Sequence, residues 1–218
     1  GLKSSTAIAH PNFALIKYWG KSNVSGNIPA MSSLAITLDS MTSETTVSFP
    51  NDLKKDTWIL NGLEQPSLGQ IQLPCEYLKK ISPIDQSCLI ESNNNFPTAA
   101  GLASSASGVA SLVSALNNVL ETKLSNQQMI EVAMLGSGSA ARSLFSGFVL
   151  LGVVENKVTC ETILEVEEWP LNVIVCVTST NRKTMSSRKG MEISRKTSPI
   201  YSDWVSNHQE DMEVALQA

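Results

Sequence analysis

Three short stretches hold the residue types that could do chemistry. The first, "NNNFPTAAGLASSASG" from Asn93 to Gly108, puts very little side chain into a long run of positions. Pro97 stiffens its entry, and Ala99, Ala100, Gly101 and Ala103 leave the backbone uncovered. Ser104 and Ser105 fall at an expected helix start, which carries unpaired N–H groups and partial positive charge. Small residues there let a phosphate approach the donors, with the two hydroxyls adding contacts. The competing reading is a capped, Ala/Ser-rich helix that needs close packing. The stretch is neither a Walker A loop nor a dinucleotide loop, because G-x-x-x-x-G-K-[ST] and G-x-G-x-x-G are both absent.

The second stretch gathers Lys17, Tyr18 and Lys21 around Trp19 and Gly20. It reads either as a partly amphipathic segment with snorkelling lysines or as a cationic clamp with a phenol donor, of the kind a diphosphate needs. Trp19 is expected to be a packing wall whose indole N–H can also donate. The third is "GSGSAARSLFSGFV" from Gly136 to Val149. Its Arg142 is either an ordinary surface arginine on a turn or a bidentate partner for an oxyanion, with Ser137 and Ser139 donating alongside. Ser187 and Arg188, taken alone, read as loop residues.

His10 and His208 have no partner at metal-ligand spacing and are expected to be structural. His10 precedes a proline and should sit in extended chain. Met185, Met191 and Met212 are expected to pack. Cys75, Cys88, Cys160 and Cys176 are scattered without a C-x-x-C pair, which argues against zinc or a disulfide framework. Cys176 reads as a buried small hydrophobe. No metal-ligating residues are assigned.

These stretches need elements to hold them. "ETTVSF" (Glu44 to Phe49) alternates and reads as a strand. "TWILNGLE" places Asn61-Gly62 as a type I′ hairpin turn, and "SCLIES" (Ser87 to Ser92) is a strand leading into the asparagines. Val109, Leu112, Val113, Leu116 and Leu120 recur at helical spacing. Ser125 to Gln128 fits a capping box for a helix through about Leu135, which Gly136 breaks. "FVLLGVV" (Phe148 to Val154) and "LNVIVCVTS" (Leu171 to Ser179) read as buried strands, divided by the turn-like Glu155-Asn156. A last helix begins near Ser198-Pro199, with Ile200, Trp204, Val205, His208, Met212 and Leu216 as its apolar stripe. It ends at Ala218 in mid-pattern, which points to a longer protein. Mixed strands and helices suggest an α+β fold.

The chain has 218 residues, 42% of them hydrophobic and 17% charged, enough for one sizeable core and part of a second. A net charge of −4 gives no support to nucleic-acid binding. The longest apolar run is too short to span a bilayer, and the N-terminus lacks a signal-peptide core. The expectation is a reduced, cytoplasmic setting with no membrane partner.

"NNFPTAAGLASSASG" closely resembles the phosphate loop of the GHMP superfamily (galacto-, homoserine, mevalonate and phosphomevalonate kinases), and more narrowly that of the diphosphomevalonate decarboxylase family. "PNFALIKYWGK", "GSGSAARSLFSGFV" and "SSRKGM" followed by "TSP" resemble the family's other signatures in its order, over nearly the whole chain. The resemblance implies a GHMP-kinase-like two-domain fold. Residues 1–180 would form a ribosomal protein S5 domain 2-like ATP-binding domain. Residues 181–218 would begin a ferredoxin-like α/β-sandwich domain that is mostly missing. It implies ATP-dependent decarboxylation of mevalonate 5-diphosphate to isopentenyl diphosphate with Mg²⁺, in a homodimer. Alternatives are a related kinase or decarboxylase acting on mevalonate or its monophosphate, or a non-catalytic nucleotide-binding module.

The same resemblance assigns roles. Asn94, Pro97, Ala100, Gly101, Leu102, Ala103 and Ser104 would cradle ATP, with Ser105 orienting the γ-phosphate. Tyr18, Trp19, Gly20, Lys21, Ser137, Gly138, Ser139, Ala140, Ala141, Arg142, Ser187 and Arg188 would bind substrate. Asn12 and Arg142 would hold the reacting end, and Lys17 would help set the charge. The family's aspartate in a late "DAGPN"-like motif has no match here. Met31-Ser32-Ser33 stands where Asn-Ser-Ser is usual, and His10-Pro11 where Ala-Pro is usual.

Overall fold

A computed structural model describes residues 3–22, 27–98, 104–179 and 184–218. The first sheet contains β1 (Ser4–Ala9), β4 (Ser43–Ser48), β7 (Leu89–Asn94), β5 (Thr57–Leu60) and β6 (Leu63–Glu64), in the order β1-β4-β7-β5-β6. β5 and β7 run parallel and the other pairs antiparallel. The second sheet contains β2 (Asn12–Ile16), β3 (Ser33–Thr37), β8 (Phe148–Val154) and β9 (Lys157–Leu164), in that order and fully antiparallel. Three helices belong to this body: α1 (Gln72–Lys80), α2 (Ser104–Val119) and α3 (Asn126–Gly136). Two more, α4 (Ser187–Thr197) and α5 (Tyr201–Gln217), follow later in the chain.

The helical spacing along α2 becomes a buried face. Val109, Leu112, Val113, Leu116 and Leu120 join Val47, Ile71, Leu78 and Ile90 in the main core. Burying each such side chain stabilises by about 1.5–3 kcal/mol relative to leaving it exposed. α3 shows two faces. Val132 and Ala133 enter that core, while Ile130 and Met134 join Ala141, Leu151 and Val158 against the second sheet. Its start carries the expected capping box: Gln128 N donates to Ser125 Oγ at 3.3 Å, and Ser125 N donates to Gln128 Oε1 at 2.9 Å.

Asn61 and Gly62 both have positive φ, 50° and 79°, as a type I′ turn between β5 and β6 requires. His10 Nδ1 lies 2.8 Å from Met41 O, and His208 Nε2 lies 2.7 Å from Ser32 O, so both histidines serve packing. The His208 contact, with Met212 buried beside it on α5, anchors that helix to the body. Among the described residues no helix is long and apolar enough to cross a membrane.

Two expectations fail together. Residues 171–179 form no strand. Leu171, Val173, Ile174 and Val177 are exposed, and so is Cys176. β8 pairs instead with β9, through a hairpin whose turn residues Glu155 and Asn156 have φ of 49° and 63°. A strand needs a hydrogen-bonding edge. The two-residue turn brings β9 to the edge of β8, and among the described residues no strand lies beside 171–179. The alternation of Val158 and Cys160 with exposed neighbours marks β9, though more weakly than the continuous apolar run.

Candidate active site

Residue 12 opens β2, and its side chain points inward. Asn12 is buried and donates through Nδ2 to Ser143 Oγ at 2.8 Å and to Ser139 O at 3.3 Å. Its Oδ1 accepts from Arg142 Nε at 3.0 Å, and Arg142 Nη1 donates to Ser33 Oγ at 2.5 Å. Arg142 sits on a 3-10 turn, Ala140–Leu144, only 4% exposed. It is therefore no surface arginine. The expected neighbours Asn12, Ser139 and Arg142 do meet, and Ser33 joins them from the variant "MSS" stretch. Burial pulls the Arg142 pKa down, opposed by the nearby Tyr18 and Cys160.

Tyr18 lies beside this group, with Arg142 Cζ 5.9 Å from its ring centroid. Burial pushes the phenol's pKa up, and the guanidinium opposes the shift. The Tyr18 hydroxyl occupies the space that a side chain on residue 138 would need; a Cβ there would lie 3.4 Å from Tyr18 Cζ and 3.4 Å from Asn27 O. Gly138 thus lets the phenol approach the loop, close to Asn27.

Asn27 is the residue that sequence reasoning missed. Its Oδ1 accepts from Lys21 Nζ and, at 3.3 Å, from Arg188 Nη2. Its Nδ2 donates to Met134 O and Leu135 O at 2.9 and 3.2 Å, near the end of α3. Its φ of 61° suits asparagine, and that preference is the only local signal it offers. Lys21 and Arg188, far apart in sequence, thereby converge on one carboxamide oxygen. Burial lowers the Lys21 pKa, and the Arg188 charge lowers it further. Among the described residues, neither cation nor Arg142 pairs with a carboxylate. Lys21 and Arg195 also border a cavity of about 400 Å³ that Ser22, Tyr201 and Val205 help line.

Ser187 and Arg188 open α4 rather than a loop, because Ser186 Oγ caps the helix by accepting from Lys189 N at 3.3 Å. Trp19 is the expected wall. Its Nε1 donates to Ser194 Oγ at 2.9 Å, a Cβ on Gly190 would lie 3.2 Å from its ring, and Lys17 Nζ stands 5.4 Å from its centroid. Gly20 has φ of 130°, and the Tyr201 side chain packs against the bare backbone there. Ser137 and Ser139 hydroxyls lie 3.3 Å apart. Ala140 and Ala141, expected to bind substrate, are fully buried, backbone included, and present no surface to a ligand in this structure.

The small-residue stretch divides in two. Ser107 and Ser111 are fully buried and bond to Ser43 Oγ and Thr45 Oγ1, each at 2.7 Å, so this part serves close packing of α2 on β4. Ser104 and Ser105 are half-buried in the first turn of α2. Asn94 is engaged locally, accepting from Ser43 Oγ at 2.6 Å and donating to Thr98 Oγ1 at 2.8 Å. Pro97 is half-buried just beyond. Ala100, Gly101, Leu102 and Ala103 lie outside the described residues.

The model for the diphosphomevalonate decarboxylase-like N-terminal domain matches residues 9–162. This chain belongs to the diphosphomevalonate decarboxylase family. It is 38% identical over 217 residues to the diphosphomevalonate decarboxylase of Candida albicans, covering 91% of this chain and 60% of that protein. Against the Bos taurus enzyme the identity is 36%, with 89% and 54% covered. The chain thus spans little more than half the length of these relatives. The Staphylococcus aureus mevalonate diphosphate decarboxylase superposes with a TM-score of 0.85 at 35% identity, covering all of this chain and 67% of that one. MDDEF in complex with MVAPP, AMPPCP and magnesium superposes at 0.84 with 36% identity, covering 98% and 67%. Family membership agrees with both the α+β architecture and the sequence resemblance.

Proposed function

We propose that the protein of which this chain is part is an ATP-dependent diphosphomevalonate decarboxylase, converting mevalonate 5-diphosphate to isopentenyl diphosphate, ADP, phosphate and carbon dioxide. One observation carries the reading. Lys21 and Arg188 converge from distant segments on Asn27 Oδ1, with Tyr18 and Arg142 adjoining and, among the described residues, no carboxylate partner to neutralise them. Such uncompensated charge suits a pyrophosphate tail.

In this reading Lys21 and Arg188 leave the carboxamide for the diphosphate. Tyr18, Ser137, Ser139 and Ser187 add donors. Arg142 is held by Asn12 and Ser33 and orients the reacting end, while exposed Lys17 raises the local positive potential. The half-buried Ser105 fits the role of positioning a γ-phosphate, and the α2 N-terminus favours negative charge. ATP with Mg²⁺ would supply the transferred phosphoryl group and its charge neutralisation. A tertiary hydroxyl leaves poorly as such and well as phosphate, and loss of carbon dioxide then completes the alkene. Catalysis on this scheme is positioning and charge stabilisation above all.

We assign residues 1–180 to the ATP-binding domain and 181–218 to the start of the second, in a cytoplasmic homodimer. The test is full-length enzyme with ATP and mevalonate 5-diphosphate, followed by coupled phosphate and carbon dioxide release. Preferential turnover of mevalonate 5-phosphate would overturn the substrate, and absence of both products would overturn the reaction.

A further inference from the structure

Cys75 and Cys88, scattered in sequence, meet in the core away from the proposed site. Both are fully buried in the same cluster, and their Sγ atoms lie 3.6 Å apart. A disulfide bond is about 2.05 Å long, so the pair needs to close by about 1.5 Å. Cys75 sits within α1, and Cys88 immediately precedes β7. Asp56 Oδ1 accepts from Cys88 N at 2.8 Å, lies 3.4 Å from Cys88 Sγ, and accepts from Lys79 Nζ at 2.8 Å. The thiols themselves are fully buried, but the Lys79 and Asp56 side chains beside them are 19% and 22% exposed, so local opening at this side would admit a small molecule.

We propose that Cys75 and Cys88 form an oxidation site, at which a hydroperoxide such as hydrogen peroxide converts the pair to an intrachain disulfide joining α1 to the start of β7. The Cys88 proton leaves to solvent, because Asp56 is held ionised by Lys79 and is too weak a base to take it, and the thiolate sulfur attacks a peroxide oxygen. The O–O bond breaks, and the departing hydroxide takes up a proton from solvent as water, leaving a sulfenic acid on Cys88. The Cys75 sulfur then attacks the Cys88 sulfur. The S–S bond forms, the S–O bond breaks, and the hydroxyl leaves with the Cys75 proton as a second water. Two thiols lose two electrons in all, and one peroxide gains them.

The hydrogen bond to Cys75, burial and the nearby Asp56 all hold the Cys88 thiol protonated. The reaction is therefore slow and speeds up as pH rises. The same trio of Asp56, Cys75 and Cys88 has ligand atoms within 4.8 Å of one another, as a metal would need. Lys79 already occupies the Asp56 carboxylate through both oxygens, which favours the disulfide over a cation. The link would fasten β7, whose last residue Asn94 braces Thr98 at the entry to the small-residue loop.

The test uses full-length protein carrying Cys176→Ser, which removes the exposed thiol. After hydrogen peroxide treatment, free thiols are alkylated under denaturing conditions and the protein is digested with trypsin, which cuts at Lys79 and Lys80 between the two cysteines. The expected result is one linked peptide pair, lighter by two hydrogens than the sum of its parts. It should be reversed by dithiothreitol and should form faster at pH 9 than at pH 7. The melting temperature should rise by roughly 5 °C on oxidation. Adding Cys75→Ser should abolish the link. If that variant does not fold, the unsubstituted pair still decides: two thiols lost per linked peptide formed supports the site. Overoxidised Cys88 without a link, two thiols that stay alkylatable, or a zinc ion retained at one per chain that protects them would each overturn it.

Discussion

Gly20 offers a sharp test of how the last helix meets the cationic segment. Its φ of 130° is one that side-chain-bearing residues rarely adopt, and a Cβ there would overlap the Tyr201 hydroxyl and lie 2.8 Å from Tyr201 Cζ. Gly20→Ala should therefore carry two costs. The backbone conformation costs about 1–3 kcal/mol, and forcing Tyr201 aside costs about 1–3 kcal/mol more. The sum is about 2–6 kcal/mol, a large part of a domain's stability. In a Tyr201→Ala background only the backbone part should remain, so the double-mutant cycle should show about 1–3 kcal/mol of coupling. Urea unfolding of the four proteins measures it. Titration with a diphosphate ligand should show affinity falling in Gly20→Ala, because the next residue is Lys21, and partly returning in the double variant. An equal loss in both backgrounds would mean that Tyr201 does not pack on Gly20 in solution, and the argument would fail.

Other outcomes follow from the same contacts. Tyr201→Phe should leave stability unchanged or raise it by about 1 kcal/mol, since the buried hydroxyl has no partner among the described residues; a loss in thermal denaturation would reveal one. Ser105→Ala should cut turnover on the order of tenfold or more while costing under about 1 kcal/mol of stability, and parallel losses would reduce the serine to a helix cap. Lys21 has a lowered pKa, so between that value and the ordinary lysine range the unfolded chain binds the extra proton and ligand-free stability rises with pH. Diphosphate affinity should fall over the same window as Lys21 loses its charge, and a flat pH profile of binding would count against its role. Burial alone would raise the Asp56 pKa, yet bonds from Lys79 and Cys88 outweigh it and hold the carboxyl below its usual range. Its contribution is present above the ordinary carboxylate pKa and lost as pH falls through the depressed value. Asp56→Asn should cost about 1–3 kcal/mol at neutral pH and flatten the acid limb in pH-dependent unfolding.

Much of the fold was legible because local patterns and tertiary packing agree. α2, α3, β4, β8 and the Asn61-Gly62 turn were each signalled by periodicity, a cap or a turn pair whose physics is local. Residues 171–179 were misread because apolarity measures the tendency to be buried and says nothing about which edge is free. β9, nearer in the chain and less apolar, lies on the edge of β8, and 171–179 has no strand beside it among the described residues. The start of α4 was hidden because its cap, Ser186, lies amid polar residues with no apolar stripe to announce a helix.

Within the site, the sequence by itself determined the chemical inventory: a phenol, several cations, paired serines at a helix start, and the family those motifs belong to. Only the tertiary structure decided which of them meet. Asn27 gathers Lys21 and Arg188, Ser33 completes the hold on Arg142, and Ser107 and Ser111 prove to be packing residues while Ser104 and Ser105 stay at the helix mouth. The physical reason is range. Propensity, capping and periodicity act over a few residues. The buried Arg142 guanidinium, and the Asn27 carboxamide in its bonds to Arg188 and the end of α3, are satisfied by partners more than a hundred positions away, and only the packed chain brings those partners within reach.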